Sequence, residues 1–247
     1  MRLLLVLLLL IPIKAVSQTK GFISIGGDWN SGNFKSVGIT LRSELKKDSG
    51  DYQWAISPNY RWSEQSKVGG GKLNLYENEV YVSGNLTKAL KLGWKIVAFS
   101  ENEKSYLRKI DLRSAAGFGA GHDLINKKGI NLSISELILP EYYWSSLDPE
   151  LNNFTVRGST RIKIEIVRRS VKFSSISLIQ PALYSSRQVG FLDNLNIRSN
   201  STISTKLKDK YEIGVVHNLS YQGYPYYINN TIVPMQQGAS IFVKCTF

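Results

Sequence analysis

The chain has 247 residues, with 31 lysines and arginines against 19 acidic residues, two histidines and one cysteine. A lone Cys245 excludes an internal disulfide scaffold, and so few histidines and cysteines exclude a transition-metal cluster built from them. The formal charge of +12 would suit nucleic acid in a cytosolic protein, but the opening segment makes that partner the wrong one.

That segment reads MRLLLVLLLLIPIKAVSQ. A basic Arg2 precedes an apolar run from Leu3 to Ile13, and Ala15, Val16 and Ser17 supply the small residues read by a signal peptidase. Residues 1–17 are expected to be a cleaved secretory signal, too short and wrongly flanked for a spanning helix. No cysteine sits at the cleavage site, where Gln18 stands, so a lipid anchor is not indicated. Residues 18–247 are then one exported domain, still carrying 29 basic residues against 19 acidic. No later apolar stretch approaches the ~18 residues of a spanning helix. For an exported basic chain the natural partner is an anionic surface, lipopolysaccharide or acidic lipid, and not nucleic acid.

From Gly21 onward the sequence alternates with period two, the pattern of strands with two unlike faces. A short first strand runs from about Lys20 to Asp28. Next, Val37, Ile39, Leu41 and Leu45 alternate with Gly38, Thr40, Arg42 and Glu44. In DYQWAISPNYRW, Tyr52, Trp54, Ile56, Pro58, Tyr60 and Trp62 take every second position. Leu90, Leu92, Trp94, Ile96 and Ala98 follow, then Ile110, Leu112, Ala116, Phe118 and Ala120 opposite Asp111, Arg113 and Gly117, Gly119 and Gly121. Ile130, Leu132 and Ile134 give way to Leu137 and Leu139, a phase slip that predicts a β-bulge between Ser135 and Leu139. Phe154, Val156, Ile162, Ile164 and Ile166 alternate with Arg157, Ser159, Arg161, Lys163 and Glu165. In SISLIQPALY the same phasing sends Gln180 to the apolar face and Ile179 and Pro181 to the other. Leu195, Ile197, Ile203 and Leu207, and finally Ile241, Val243, Cys245 and Phe247, complete the set.

The faces opposite are charged and glycine-rich, and the runs are longer than the 5–6 residues of sandwich strands. Ten steps from Tyr52 to Trp62 at ~3.3 Å, tilted by ~40°, climb about 25 Å, the height of the apolar band of an outer-membrane barrel. The aromatics at both ends fall where its interfacial girdles lie. Odd-to-even connections such as SEQSKVGGGK and SSRQVGFLDN are mostly long; KKDSG, NLTK, NKKG, RRS and KDK are tight. The expectation is an all-β, up-and-down transmembrane barrel of about 12 antiparallel strands, with short periplasmic turns and longer outer loops, in a Gram-negative outer membrane. Both termini then lie in the periplasm. The terminal Phe247 resembles the signal by which the barrel-assembly machinery recognises its clients.

The stretches SGNFKSVGITLRSEL, GDYQWAISPNYRW and KIDLRSAAGFGAGHDL carry a resemblance. They are similar to the uncharacterised domain family of salt-induced outer-membrane proteins, through Gly32 and Asn33 before a strand and Asp111, Leu112 and Arg113 before the spaced glycines. His122 stands where that family usually has tyrosine. The resemblance implies an outer-membrane barrel and supplies no mechanism, so no functional residue is carried over.

Chemistry-bearing motifs are few. The glycines at 117, 119 and 121 lie within a strand instead of opening a helix, so they are packing glycines and not a nucleotide loop. GGGK at 69–72 is followed by Leu73 where a P-loop needs Ser or Thr for magnesium. Asp148 and Glu150, in an outer loop, read as solvated carboxylates more readily than as a cation site. No cofactor or metal is expected. If KDK is a tight hairpin in which Leu207 pairs with Tyr211, Ser201 falls opposite His217 on the outward face. A membrane phospholipase barrel of the same strand number carries such a pair, with serine as nucleophile and histidine as base. The reading favoured here is not enzymatic: a narrow, weakly anion-preferring channel or a structural barrel with a filled lumen. Arg157, Arg161 and Lys163, clustered on one inward face, are the constriction candidates, with small anions as the solutes they would favour. A lipid-facing Ser201–His217 hydrolase is the enzymatic alternative. An adhesin or lipopolysaccharide-binding surface, using the loop GYPYYINN, is the third.

Overall fold

The structure, a computed structural model, describes residues 19–31, 35–66, 72–106, 109–147, 149, 152–186, 191, 194–208, 210–222, 227–228, 231–232 and 235–247. The expected signal segment, the Gly32–Asn33 motif, most of GGGK, and Asp148 and Glu150 lie outside them.

The strands in chain order are β1 (Thr19–Ser31), β2 (Lys35–Ser49), β3 (Tyr52–Gln65), β4 (Asn74–Ala89), β5 (Trp94–Ser105), β6 (Ile110–Lys127), β7 (Ile130–Trp144), β8 (Asn153–Arg168), β9 (Val171–Gln180), β10 (Ala182–Ser185), β11 (Asn196–Lys208), β12 (Tyr211–Gln222), the two-residue β13 (Tyr227–Ile228) and β14 (Thr231–Ile232), and β15 (Met235–Thr246). Twelve of them are staves of one closed antiparallel barrel. Each pairs with its sequence neighbour, β15 pairs with both β12 and β1, and β9 pairs with both β8 and β11, so no stave is left at an edge. Closure removes the unpaired backbone groups that neither lipid nor water-free protein can satisfy. β10 continues the wall beyond Pro181 on the β8 side, and β13 and β14 make a small hairpin within the last long connection.

The two ends of the barrel differ, as the connection lengths require. One end carries turns of a few residues: Gly50 with Asp51, residues 90–93, Lys128 with Gly129, and Arg169 with Ser170. Gly50 (φ 57°) and Gly129 (φ 81°) hold the left-handed conformations these turns need. The other end carries the longer loops. Below, these are the turn end and the loop end.

Outward positions form an apolar girdle. Ile23, Ile25, Ile39, Leu45, Ile56, Leu86, Ile96, Ile203, Val215, Ile241 and Val243 are all exposed, and Phe118 is 72% exposed. A continuous belt of this kind could not persist in water; in hydrocarbon it costs nothing. At the turn end Tyr52, Trp94 and Tyr211 stand outward, and at the loop end Tyr142, Trp144 and Phe154 do. His122, where tyrosine was the familiar residue, sits edge-on to Trp94 (ring centroids 4.8 Å apart), with Nε2 3.1 Å from the Leu92 carbonyl. It is a girdle residue.

Four details of the sequence reading are corrected. β7 keeps one phase throughout: its register with β8 runs unbroken from Ile130 opposite Ile166 to Tyr143 opposite Asn153. The bulge lies instead in β6, between Asp123 and Ile125. Leu137 and Leu139 are apolar because they point into the barrel, where they are buried against Val97. In β9 the phase is the reverse of that expected. Gln180 is inward and 1% exposed, donating from Nε2 to Ser159 Oγ (3.1 Å), while Ile179 is outward. Ile110 is buried beside Tyr143 and does not face lipid. Finally, β4 runs through the expected NLTK turn to Ala89. The chain reverses at residues 90–93, through a single 3-10 turn (Lys91–Gly93) with Leu92 at φ 58°.

Candidate functional site: the barrel lumen

Inward side chains of the twelve staves meet inside the barrel, and three tiers can be distinguished from turn end to loop end. In the first, Lys95 Nζ lies 2.6 Å from Asp123 Oδ1, Lys172 pairs with Glu165 (3.2 Å) and Lys244 with Glu212 (3.4 Å). These tie neighbouring staves across the ladder.

The middle tier is apolar on one wall. Val97 and Phe99 of β5 pair with Gly119 and Gly117 of β6, and Leu137 of β7 pairs with Gly119 from the other side. The glycine stripe is therefore a trough over which two flanking rows of large side chains close. A methyl group added at Gly117 would strike the Ile138 carbonyl, and one at Gly119 the Glu136 carbonyl, so here the neighbouring backbone needs the missing side chain.

The third tier is an ion network. Arg113, 2% exposed, donates Nε to Glu141 Oε2 (2.8 Å), places Nη2 2.5 Å from the same oxygen, and turns Nη1 to Glu101 Oε1 (2.5 Å) and Glu103 Oε2 (3.3 Å). Glu101 also accepts the Tyr81 hydroxyl (2.7 Å) and faces Arg198 Nη1 at 3.5 Å. Glu141 Oε1 accepts from Arg157 Nε (3.0 Å). Arg157 then donates to the Asn194 carbonyl (2.8 Å), to Asn194 Oδ1 (3.0 Å) and to the Gln180 carbonyl (3.3 Å). Among the described residues three carboxylates face three guanidinium groups, so their charges match and most of the carboxylate oxygens are used. That condition is what makes buried charge tolerable. It also holds Asn194 buried against the loop end of β8.

Two contacts cross the lumen. Arg198 on β11 and Glu101 on β5 are five staves apart in the ring of twelve, close to diametrically opposed. Arg161 Nη1 of β8 lies 3.5 Å from Asn85 Oδ1 of β4, four staves away. Side chains from facing walls touch at both places.

Of the constriction candidates, Arg161 and Lys163 stand inward on β8, and Lys163 has no hydrogen-bond or ion-pair partner among the described residues. Arg157 is also inward, but it is locked into the buried network and is 4% exposed. Ser201 does stand opposite His217, and both face outward, although the hairpin closes on Lys208 opposite Tyr211, with a register shift at Leu207, and not on Leu207 opposite Tyr211. Ser201 Oγ is 2.9 Å from Ser175 Oγ, and Ser177 and Ser199 make a parallel pair at 3.1 Å. Glu101, Glu103 and Glu141 were missed in sequence. ENEKS reads as a loop, yet β5 runs through it to Ser105, and the alternation of Glu101, Glu103 and Ser105 was the available signal. The period of two would put Asp51 and Asp111 inward, but Asp51 is in a turn, and Asp111 accepts from Ser146 N (2.7 Å) at the exposed rim. Among the described residues no group of three or more metal-ligating side chains is found.

A closed twelve-stave barrel with an apolar outside and a charged inside defines an integral membrane β-barrel protein. The chain belongs to DUF481, a family of proteins of unknown function, whose model matches residues 23–225. A comparison with curated protein sequences finds no match. Among solved structures the chain is similar to the NanC porin, with a TM-score of 0.56 and 9% identity over 91% of this chain and 98% of that one. It is also similar to the KdgM porin (0.48, 9%, over 93% and 99%) and to LpxR from Salmonella typhimurium (0.47, 7%, over 92% and 99%). At such identities the likeness is one of fold.

Proposed function

We propose that this protein is an outer-membrane barrel of a Gram-negative envelope, set in membrane lipid and lipopolysaccharide. In this reading residues 1–17 are removed on export, the turn end faces the periplasm, and the lumen is a narrow, weakly anion-preferring passage. The observation that carries the reading is the meeting of opposite walls. With Arg198 against Glu101 and Arg161 against Asn85, no wide aqueous pore fits between the staves. The preference in sign follows from what remains after pairing. Among the described residues the loop-end network has matched charges, whereas Arg161 and Lys163 have no carboxylate bonded to them. Unmatched positive charge in a low-dielectric channel favours anions.

Conductance across a planar bilayer under a salt gradient tests this. Small discrete steps are expected, with a reversal potential displaced toward that of the anion. Arg161→Glu combined with Lys163→Glu should move the reversal potential to the cation side. A folded barrel that never conducts would leave a structural role with a filled lumen.

The register of Ser201 with His217 favours a second reading, lipid hydrolysis at the outward face. Ser201 Oγ is bonded to Ser175 Oγ, so catalysis would need that hydroxyl to turn toward His217. If the purified barrel hydrolyses phospholipid, Ser201→Ala should abolish it while Ser177→Ala leaves it intact. Hydrolysis that survives Ser201→Ala ends this reading.

A further inference from the structure

The inward arginines are not alike. Arg61, Arg113, Arg157 and Arg198 each have a carboxylate within 3.5 Å, and Arg161 has the Asn85 amide oxygen. Arg42, inward on β2, has neither a hydrogen-bond nor an ion-pair partner among the described residues. It lines a small cavity of about 10 Å³ in the lumen wall, together with Ser24, Gly26, Thr40, Val216, Ser240 and Phe242. β1, β2, β12 and β15 bring these residues together: Ser24 pairs with Arg42, Gly26 with both Thr40 and Phe242, and Val216 with Ser240.

The chemistry of this lining is one-sided. It offers a guanidinium fork and three hydroxyl groups, with an apolar wall from Val216, 1% exposed, and Phe242. No carboxylate lines it. Lys244, the next cation along the same wall, is occupied by Glu212 at 3.4 Å. Glycine at 26 keeps the cavity open, because a methyl group there would already stand 3.1 Å from the Ile241 carbonyl. A guanidinium turned from bulk water with no counter-ion is costly. An incoming anion removes that cost, and the hydroxyls add neutral donors.

We infer that Arg42, with Ser24, Thr40 and Ser240, forms a binding site for the carboxylate group of a small solute in the lumen. The planar guanidinium fork sets the class, because it meets a planar carboxylate with two parallel hydrogen bonds. This site rests on the reading of the lumen as accessible to anions, but it lies on the wall opposite Arg161 and Lys163.

The test is equilibrium dialysis of radiolabelled acetate against the refolded barrel in detergent, which involves no bilayer and no conduction. Wild type should show one saturable site per chain. Arg42→Gln should weaken it by about tenfold or more, the scale of losing a charged hydrogen bond, and Ser24→Ala with Ser240→Ala should weaken it less. Each variant is first checked for the heat-dependent gel mobility of a folded barrel. Absence of a saturable site in wild type, or equal binding by folded Arg42→Gln, would overturn the assignment. So would inorganic phosphate displacing acetate at equal concentration. A barrel that binds acetate but is silent in a bilayer would refute the passage and leave this site standing; one that conducts anions without binding acetate would do the reverse.

Discussion

Replacing Arg113 by methionine is expected to be the most damaging change of a single charged residue in this barrel. The substitution keeps much of the side chain's length and leaves Glu101, Glu103 and Glu141 with Arg157 and Arg198 as their guanidinium partners among the described residues. All three carboxylates are buried. Breaking a buried ion pair from one side costs about 3–5 kcal/mol, because the abandoned charge stays where water cannot reach it. Urea unfolding in micelles, followed by tryptophan fluorescence, should show a loss of that order or a failure to refold. Arg113→Lys should recover part of it, since an ammonium reaches one or two acceptors where the planar fork reaches three. Glu103→Gln should be milder than Arg113→Met, as its contact at 3.3 Å is the longest of the three ion pairs that Arg113 makes. A variant Arg113→Met within about 1 kcal/mol of wild type would mean that the network is wetter and looser than its geometry implies.

Gly119→Ala is the second change expected to be severe. The new methyl group would overlap the Glu136 carbonyl and sit 2.7 Å from Leu137 Cα. These are backbone atoms of the paired stave, so no rotamer change relieves the clash; the ladder between β6 and β7 must shift. Overpacking of this kind typically costs about 1–3 kcal/mol where side chains can move, and more is expected where they cannot. Gly238→Ala is the matched control, because nothing lies within 4 Å of a methyl group there. The measurement is the fraction of refolded protein that shows heat-dependent gel mobility. Gly119→Ala should be mostly unfolded, and Gly238→Ala should match wild type. Equal yields would show that β7 can retreat and that the glycine trough is not a structural requirement.

The outward surface was easy to read in the sequence because lipid imposes one rule on it. β3 shows this: Tyr52, Trp54, Ile56, Pro58, Tyr60 and Trp62 take every second place and all face outward. Strand number, the tight turns at one end and the pairing of Ser201 with His217 followed from the same period and from hairpin arithmetic. The inside obeys no such rule. A water-filled lumen would be polar throughout, and then an apolar residue would always mean lipid. Apolar side chains enter this lumen as well: Leu137, Leu139, Val97, Phe99, Ile176 and Leu178 are all inward. Wherever both faces of a strand are apolar, alternation loses its sign. That is why the phase of β9 was inverted and a bulge was placed in β7. One clue was present. Three glycines on the inner face of β6 leave a trough that only large neighbours on β5 and β7 can fill, which makes Val97 and Leu137 inward on volume grounds alone. The Arg42 pocket had no such clue, since the four staves that build it are joined only when the ring closes.

That joining has a kinetic meaning. β15 is hydrogen-bonded to β12 on one side and to β1 on the other, and the Gly21 and Phe247 backbones exchange N–H···O bonds at 3.0 Å in both directions. The Phe247 ring lies over Gly21, where a side chain would exclude it. The seam thus unites segments more than two hundred residues apart, the strand pairing with the greatest sequence separation among the described residues. Such contacts form late, because most of the chain's freedom must be surrendered before they return anything. Until β15 arrives, β1 and β12 are bare strand edges open to any extended peptide. The last strand is therefore the zipper's final tooth: whatever holds β1 and β12 apart beforehand decides whether the chain becomes a ring or an aggregate.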